Sequence, residues 1–175
     1  MKNYDFAAKF RAVYDQAVAQ YTKGVRDASK LLDSTQTAFL AANGITAQHL
    51  YDYAEDHVAG GEPGYDNVLT IEVVRRSYFL YVQGGKVSTP PLDESKLPGK
   101  TEAVSGIEWL PRIIPKAKAK LRGELPASLM YCCGGDRRFF KTHDILPADF
   151  LGAVWRFEHN DAGLIDWVVK QSAAK

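Results

Sequence analysis

Apolar residues recur along the first twenty positions at i, i+3, i+4 and i+7. Phe6, Phe10, Val13, Tyr14, Ala17 and Tyr21 fall on one face, which predicts a helix over 5–23. Asp5 stands where an N-cap belongs, and Gly24 where a helix stops. A shorter helix is predicted from Asp33-Ser34, carrying Ala38, Phe39 and Leu40 and closing at Asn43-Gly44. Thr46 caps a third helix over 47–58, with Leu50, Tyr53, Ala54 and His57 on one side. After the loop Gly60-Gly61-Glu62-Pro63-Gly64, Asp66 is read as the cap of a helix over 67–82. Within it, 71–82 also reads as strand, because Val73-Val74 and Tyr78-Phe79-Leu80-Tyr81-Val82 are short apolar runs.

Residues 84–106 hold several glycines and prolines and little apolar period, so they read as a linker or extended segment. Beyond it, Leu110-Pro111-Arg112 opens a helix whose stripe is Ile113, Ile114, Ala117 and Leu121, ended by Gly123. Pro115 is placed to tighten or kink its first turn. Asp136 is read as the cap of a short helix bearing Phe139 and Phe140. Pro147 starts the next, and Asp161 caps the last. The expected fold is all-α, a compact multi-helix domain. It divides into an N-terminal helical half (1–83), the linker (84–106) and a C-terminal helical half (107–175), packed as one unit. The halves repeat the same order of elements. At an offset of 100, Phe39 meets Phe139 and Ile45 meets Ile145, which suggests two pseudo-repeated halves. Any two amphipathic helical runs align to this degree, so the duplication stays open beside chance similarity.

Composition adds exclusions. The 175 residues are 46% apolar and 25% charged, a globular balance that excludes a disordered chain. Net charge is +1, which gives no global reason to expect a membrane surface and makes nucleic acid an unlikely partner. The start, Met1-Lys2-Asn3-Tyr4-Asp5, lacks the apolar run of a signal peptide, and no stretch approaches a membrane span. Cys132 and Cys133 are adjacent and form no disulfide framework, so a cytoplasmic protein with free thiols is expected.

The motifs of the second half carry a resemblance. Gly106-Ile107-Glu108-Trp109-Leu110-Pro111-Arg112, the Lys-Ala repeat of 116–122, Tyr131-Cys132-Cys133-Gly134-Gly135-Asp136 and the closing Ile165-Asp166-Trp167-Val168 resemble the bacterial family called domain of unknown function 5069. The resemblance covers about residues 88–172. It departs at Pro115, where the family pattern has Asp, and at Gly134-Gly135, where it has Pro-Leu. The resemblance implies no activity.

Three constellations could carry chemistry. Arg112, Lys116 and Lys120 share a face by their spacing of four. Such a cationic row suits a phosphate or carboxylate, or else is a solvated face. Arg137, Arg138 and Lys141 extend it. Cys133 and Asp136 sit in a glycine turn before a helix, where a thiol near cations gains reactivity. His143 and His159 reach it only through the fold, and the plain alternative is a tight turn with buried thiols. His49, Asp52, Asp56 and His57 lie along one helix, where a solvated acidic face outweighs a metal site. No nucleotide, Ser-elbow or zinc motif occurs, so no cofactor and no metal are expected. The favoured reading is a binding module for a small anionic molecule or an acidic partner segment, through Arg112, Lys116, Cys133, Asp136 and Arg137. The alternative is a small enzyme using Cys133 or Asp136 in a pocket between the halves.

Overall fold

The stripe Phe6, Phe10, Val13, Tyr14, Ala17 and Tyr21 is the buried face of the first helix, α1 (Phe6–Thr22). The computed structural model describes residues 3–174. Met1 and Lys2, part of the N-terminal reading above, lie outside it. The elements that follow are α2 (Ser34–Ala41), α3 (Ala47–Gly60), α4 (Tyr65–Tyr81), β1 (Ala103–Val104), β2 (Ile107–Glu108), α5 (Leu110–Arg122), α6 (Gly134–His143), α7 (Pro147–Arg156) and α8 (Asp161–Ala173). The described residues are thus mainly helical. Their only sheet is the antiparallel pair β1–β2, in which Ala103 faces Glu108 and Val104 faces Ile107.

Several ends are set as expected. Asp33 and Gln36 form a reciprocal capping box on α2. Thr46 accepts from the His49 N–H at the start of α3. Gly123 closes α5 in the left-handed region. Other caps differ from the expectation. Asp5 occupies the N-cap of α1 without a capping bond. Gly64 precedes α4, so Asp66 lies inside its first turn, where it complements the helix dipole. Asn160, not Asp161, accepts the Gly163 N–H at the start of α8. Cys133 is the N-cap of α6, which moves Asp136 to its third position.

The strand alternative for 71–82 is overturned, because α4 runs unbroken through Tyr81. The segment 84–106 is not featureless. It contains a short 3-10 turn at Glu94–Lys96 and the first strand of the hairpin. The Leu92 N–H donates to Glu124 O and Ser88 Oγ donates to Glu124, which ties it to the end of α5.

Two apolar clusters organise the molecule. One gathers Phe10, Tyr14, Leu40, Leu50, Tyr53 and Val68 from α1 to the start of α4. The other gathers Ile113, Phe139, Phe140, Phe150, Leu164 and Val168 from α5 to α8, together with Ile71 and Tyr78 from α4. Helix α4 therefore serves both clusters, and it packs on α1, α5 and α7. The halves share one detail of their short helices. The Ile45 N–H donates to Leu40 O and the Ile145 N–H to Phe140 O, each at 3.0 Å. The residues before them, Gly44 and Asp144, are left-handed at φ 72° and 51°. A Cβ on Gly44 would overlap the Phe79 ring, so glycine is needed there for space as well as for φ.

Candidate functional site

A cleft of about 1130 Å³ lies between the face of α3 and the elements that carry α5 and α6. The spacing of three and four residues turns Gln48, Tyr51, Asp52, Glu55 and Asp56 to this side of α3. The same spacing brings Arg112 and Lys116 of α5, and Trp109 just ahead of it, to the other side. Cys133, Gly135, Arg138 and His143 line it from α6.

Its floor is built around one carboxylate. Asp136 is fully buried. Its Oδ2 accepts from Lys116 Nζ at 2.7 Å and from the Cys132 N–H at 2.9 Å, and its Oδ1 accepts from Trp109 Nε1 at 3.0 Å. Three donors thus satisfy an anion that would otherwise be very unfavourable to bury. Trp109 reaches it from a left-handed residue, φ 69°, immediately before α5. The indole lies over Gly135, where a Cβ would stand 2.5 Å from Cζ2. Only glycine at 135 lets the indole approach.

Lys116 Nζ also lies 3.2 Å from Cys133 Sγ, and Cys133 is half-buried in the cleft wall. The neighbouring Cys132 differs in every respect. It is sealed in the core with φ 69°, and burial, aided by the charge of Asp136, pushes its thiol up to about 12.

The cationic row splits. Lys116 is spent on Asp136. Lys120 is buried too, with Nζ 2.5 Å from Glu72 Oε1 and 3.1 Å from His49 Nδ1. Both depart from the solvated face that was the plain alternative for this row. Each lysine instead anchors α5 to a neighbouring element. Arg112 remains in the wall, with Nη1 on Pro98 O at 2.7 Å and its guanidinium 5.9 Å from the Trp109 ring centre. Arg138 is exposed at the cleft and forms no ion pair among the described residues. Arg137 turns away. It bonds Asp56 Oδ2 at 2.5 Å, Glu62 Oε2 at 2.8 Å and Cys132 O at 2.8 Å, and it lines a separate cavity of about 210 Å³. Of the five residues singled out from sequence, Lys116, Cys133 and Asp136 are thus in direct contact. Arg112 shares their cleft, and Arg137 faces the neighbouring cavity.

Two features that frame the site go beyond the sequence reading, which had the acidic face of α3 but not its position opposite α5 and α6. One is the wall of α3. Asp52 donates nothing; its Oδ1 accepts from Gln48 Nε2 at 2.7 Å. Burial raises its carboxyl to about 6 against that bond, with Glu55 and Asp56 adding to the rise. The recurrence of polar residues at 48, 52, 55 and 56 was the available signal. The other is a buried cluster behind the wall. Glu72 Oε1 accepts from Tyr53 Oη and Lys120 Nζ, and Glu72 Oε2 meets no protein donor among the described residues. Burial opposes the Glu72 charge, but Lys120 and the two bonds outweigh it and hold this carboxyl below its usual value. His49, expected on a solvated acidic face, is buried in this cluster. Burial and the Lys120 charge lower its pKa to about 3, so it stays neutral. No group of His, Cys, Asp and Glu suited to a metal ion occurs among the described residues.

A family model matches the segment that supplies the hairpin, Trp109, Arg112, the Cys133 turn and Asp136. Residues 96–175 match the family model described as Domain of unknown function (DUF5069). The resemblance carried by the Leu-Pro-Arg and Tyr-Cys-Cys motifs is thereby shown. The DUF5069 segment holds α5–α8 and one side of the cleft; α1–α4 and the acidic wall lie outside the matched range. No curated protein and no solved structure matches the chain. No helix among the described residues is long and apolar enough to cross a membrane.

Proposed function

We propose that the protein is a binding module that holds a small anionic molecule, or the acidic group of a partner segment, in the cleft between α3 and α5–α6. The observation that carries this reading is the state of Arg112. It lines the cleft, its guanidinium meets no carboxylate among the described residues, and its single bond to Pro98 O leaves the remaining N–H donors for a ligand. Arg138 adds a second unpaired cation. The buried Lys116–Asp136 pair supports the site from below by fixing Trp109 and the Cys133 turn. Two free cysteines, one in the cleft wall, support a reducing, cytoplasmic setting. A thermal-shift screen of phosphates and carboxylates tests the reading. An anion that raises the Tm of the parent protein, and fails to raise that of Arg112→Ala, supports it. A screen without hits, or an unchanged shift in Arg112→Ala, removes it.

The 3.2 Å approach of Lys116 Nζ to Cys133 Sγ favours a second reading, a small enzyme with Cys133 as nucleophile. Trapping of a covalent adduct on Cys133 by a substrate-like electrophile, lost in Lys116→Met, tests that reading.

A further inference from the structure

We infer that the ligand of this cleft is bipolar, an organic acid of amino-acid or short-peptide size that also carries an ammonium group. The inference rests on the binding reading above and names the class of molecule. Its ground is that, beside the paired Asp56 and Lys116, the cleft is lined by charges of both signs that form no ion pair among the described residues. On the α3 side, Asp52 gives one oxygen to Gln48 and Glu55 one to the Tyr21 hydroxyl at 2.8 Å. Each keeps a second oxygen with no protein donor among the described residues. On the other side, Arg112, Arg138 and Lys100 outnumber the one carboxylate among them, Glu108, and none of the four forms an ion pair among the described residues. Arg137 pairs with Asp56 of the cleft wall and with Glu62 of the smaller cavity, so Asp56 is the one α3 carboxylate here that is already neutralised.

A plain anion held at Arg112 would sit in the repulsive field of Asp52 and Glu55, and a plain cation in that of Arg112 and Arg138. A molecule with both groups satisfies both walls. The volume, about 1130 Å³, lies at or above the usual range for a small-molecule site, so it leaves room for an organic body between the two charges. Tyr51, Trp109 and Phe139 offer that body an apolar, aromatic surface.

The test uses the full chain and a panel of L-amino acids and dipeptides. Each is paired with its des-amino acid, which keeps only the anion, and its decarboxylated amine, which keeps only the cation. Binding is read by calorimetry or ligand-detected NMR at pH 7.5. The expected result is that at least one zwitterion binds tenfold or more tighter than either partner. Asp52→Asn and Glu55→Gln should weaken the zwitterion and strengthen its des-amino acid, so that the gap between the two closes. The preference should also fade below about pH 6, where Asp52, facing Glu55 and Asp56 on its own helix and the buried Lys120 of α5, takes up a proton. Equal binding of zwitterion and des-amino acid overturns the inference, as does a panel in which no zwitterion binds. In the first case, if Arg112→Ala still abolishes binding, the anion reading stands and only its bipolar refinement falls. If no anion of any kind binds, both fall.

Discussion

Lys116 Nζ and Asp136 Oδ2 lie 2.7 Å apart, with 4% and 0% of their side chains exposed. Neither charge has water to turn to, so each depends on the other. Removing one member should cost more than the pair itself contributes. Asp136→Asn or Lys116→Met is expected to lower stability by about 3–5 kcal/mol. The double variant Lys116→Met/Asp136→Leu should recover part of that loss. Urea unfolding with an unchanged slope checks both. Equal, small effects for all three would show that water reaches the pair.

The two adjacent cysteines should behave as different chemical species. Cys133 lies half-buried in the cleft beside a cation, while Cys132 is sealed and its thiol is pushed up to about 12. Iodoacetamide is expected to modify one thiol per native chain, located at Cys133 by peptide mass spectrometry. Cys132 should react only in denaturant. Labelling of both at equal rates would contradict the burial of Cys132.

Stability should respond to pH through Asp52. Its folded carboxyl is raised to about 6 from an ordinary value of 3.8, so the fold binds this proton more tightly than the unfolded chain does. The ionised form is therefore disfavoured in the fold. That penalty is absent below about pH 4, grows between about pH 4 and 6, and is complete above. Asp52→Asn should stabilise the protein at pH 8 by about 1 kcal/mol, the partial exposure of the group limiting the gain. It should change little at pH 4. Denaturation midpoints at the two pH values give the comparison.

Residues 88–175 expressed alone should be much less stable than the whole chain. Such a fragment loses Glu72, the partner of buried Lys120, and loses Ile71 and Tyr78 from its apolar cluster. A circular-dichroism melt identical to that of the full chain would refute this.

Much of the fold was legible because α1, α3, α5 and α7 carry apolar stripes at helical spacing. The α1 stripe read from sequence is also its list of buried residues. Helix α4 was ambiguous for a physical reason. Its buried positions include Glu72, Arg75 and Arg76, while Val73, Tyr81 and Val82 face solvent. Charges inside and apolar residues outside erase the period on which such a reading depends. The same exchange hid the site. Lys116 and Lys120 carry the chemistry of a surface row, but their partners come from α6 and α4, at sequence separations of 20 and 48. Spacing within one helix holds no record of them. Asp136 was placed at the correct turn but read as the helix cap, a position that Cys133 holds. As the third residue of α6 it reaches back to the Cys132 N–H and across to α5, bonds that only tertiary packing creates.

The two walls of the cleft also have separate origins in the chain. Arg112, Arg138 and Cys133 lie within residues 96–175, whereas Asp52 and Glu55 lie in the preceding half. The matched segment thus brings the arginines, and the half ahead of it brings the carboxylates Asp52 and Glu55. A chain that coupled the same segment to a different leading half would inherit Arg112 and the Cys133 turn, yet face them with new chemistry. Under the binding reading proposed above, selectivity in such an architecture is modular. It could be reassigned by exchanging the leading half while the buried Lys116–Asp136 pair goes on holding the shared side in shape.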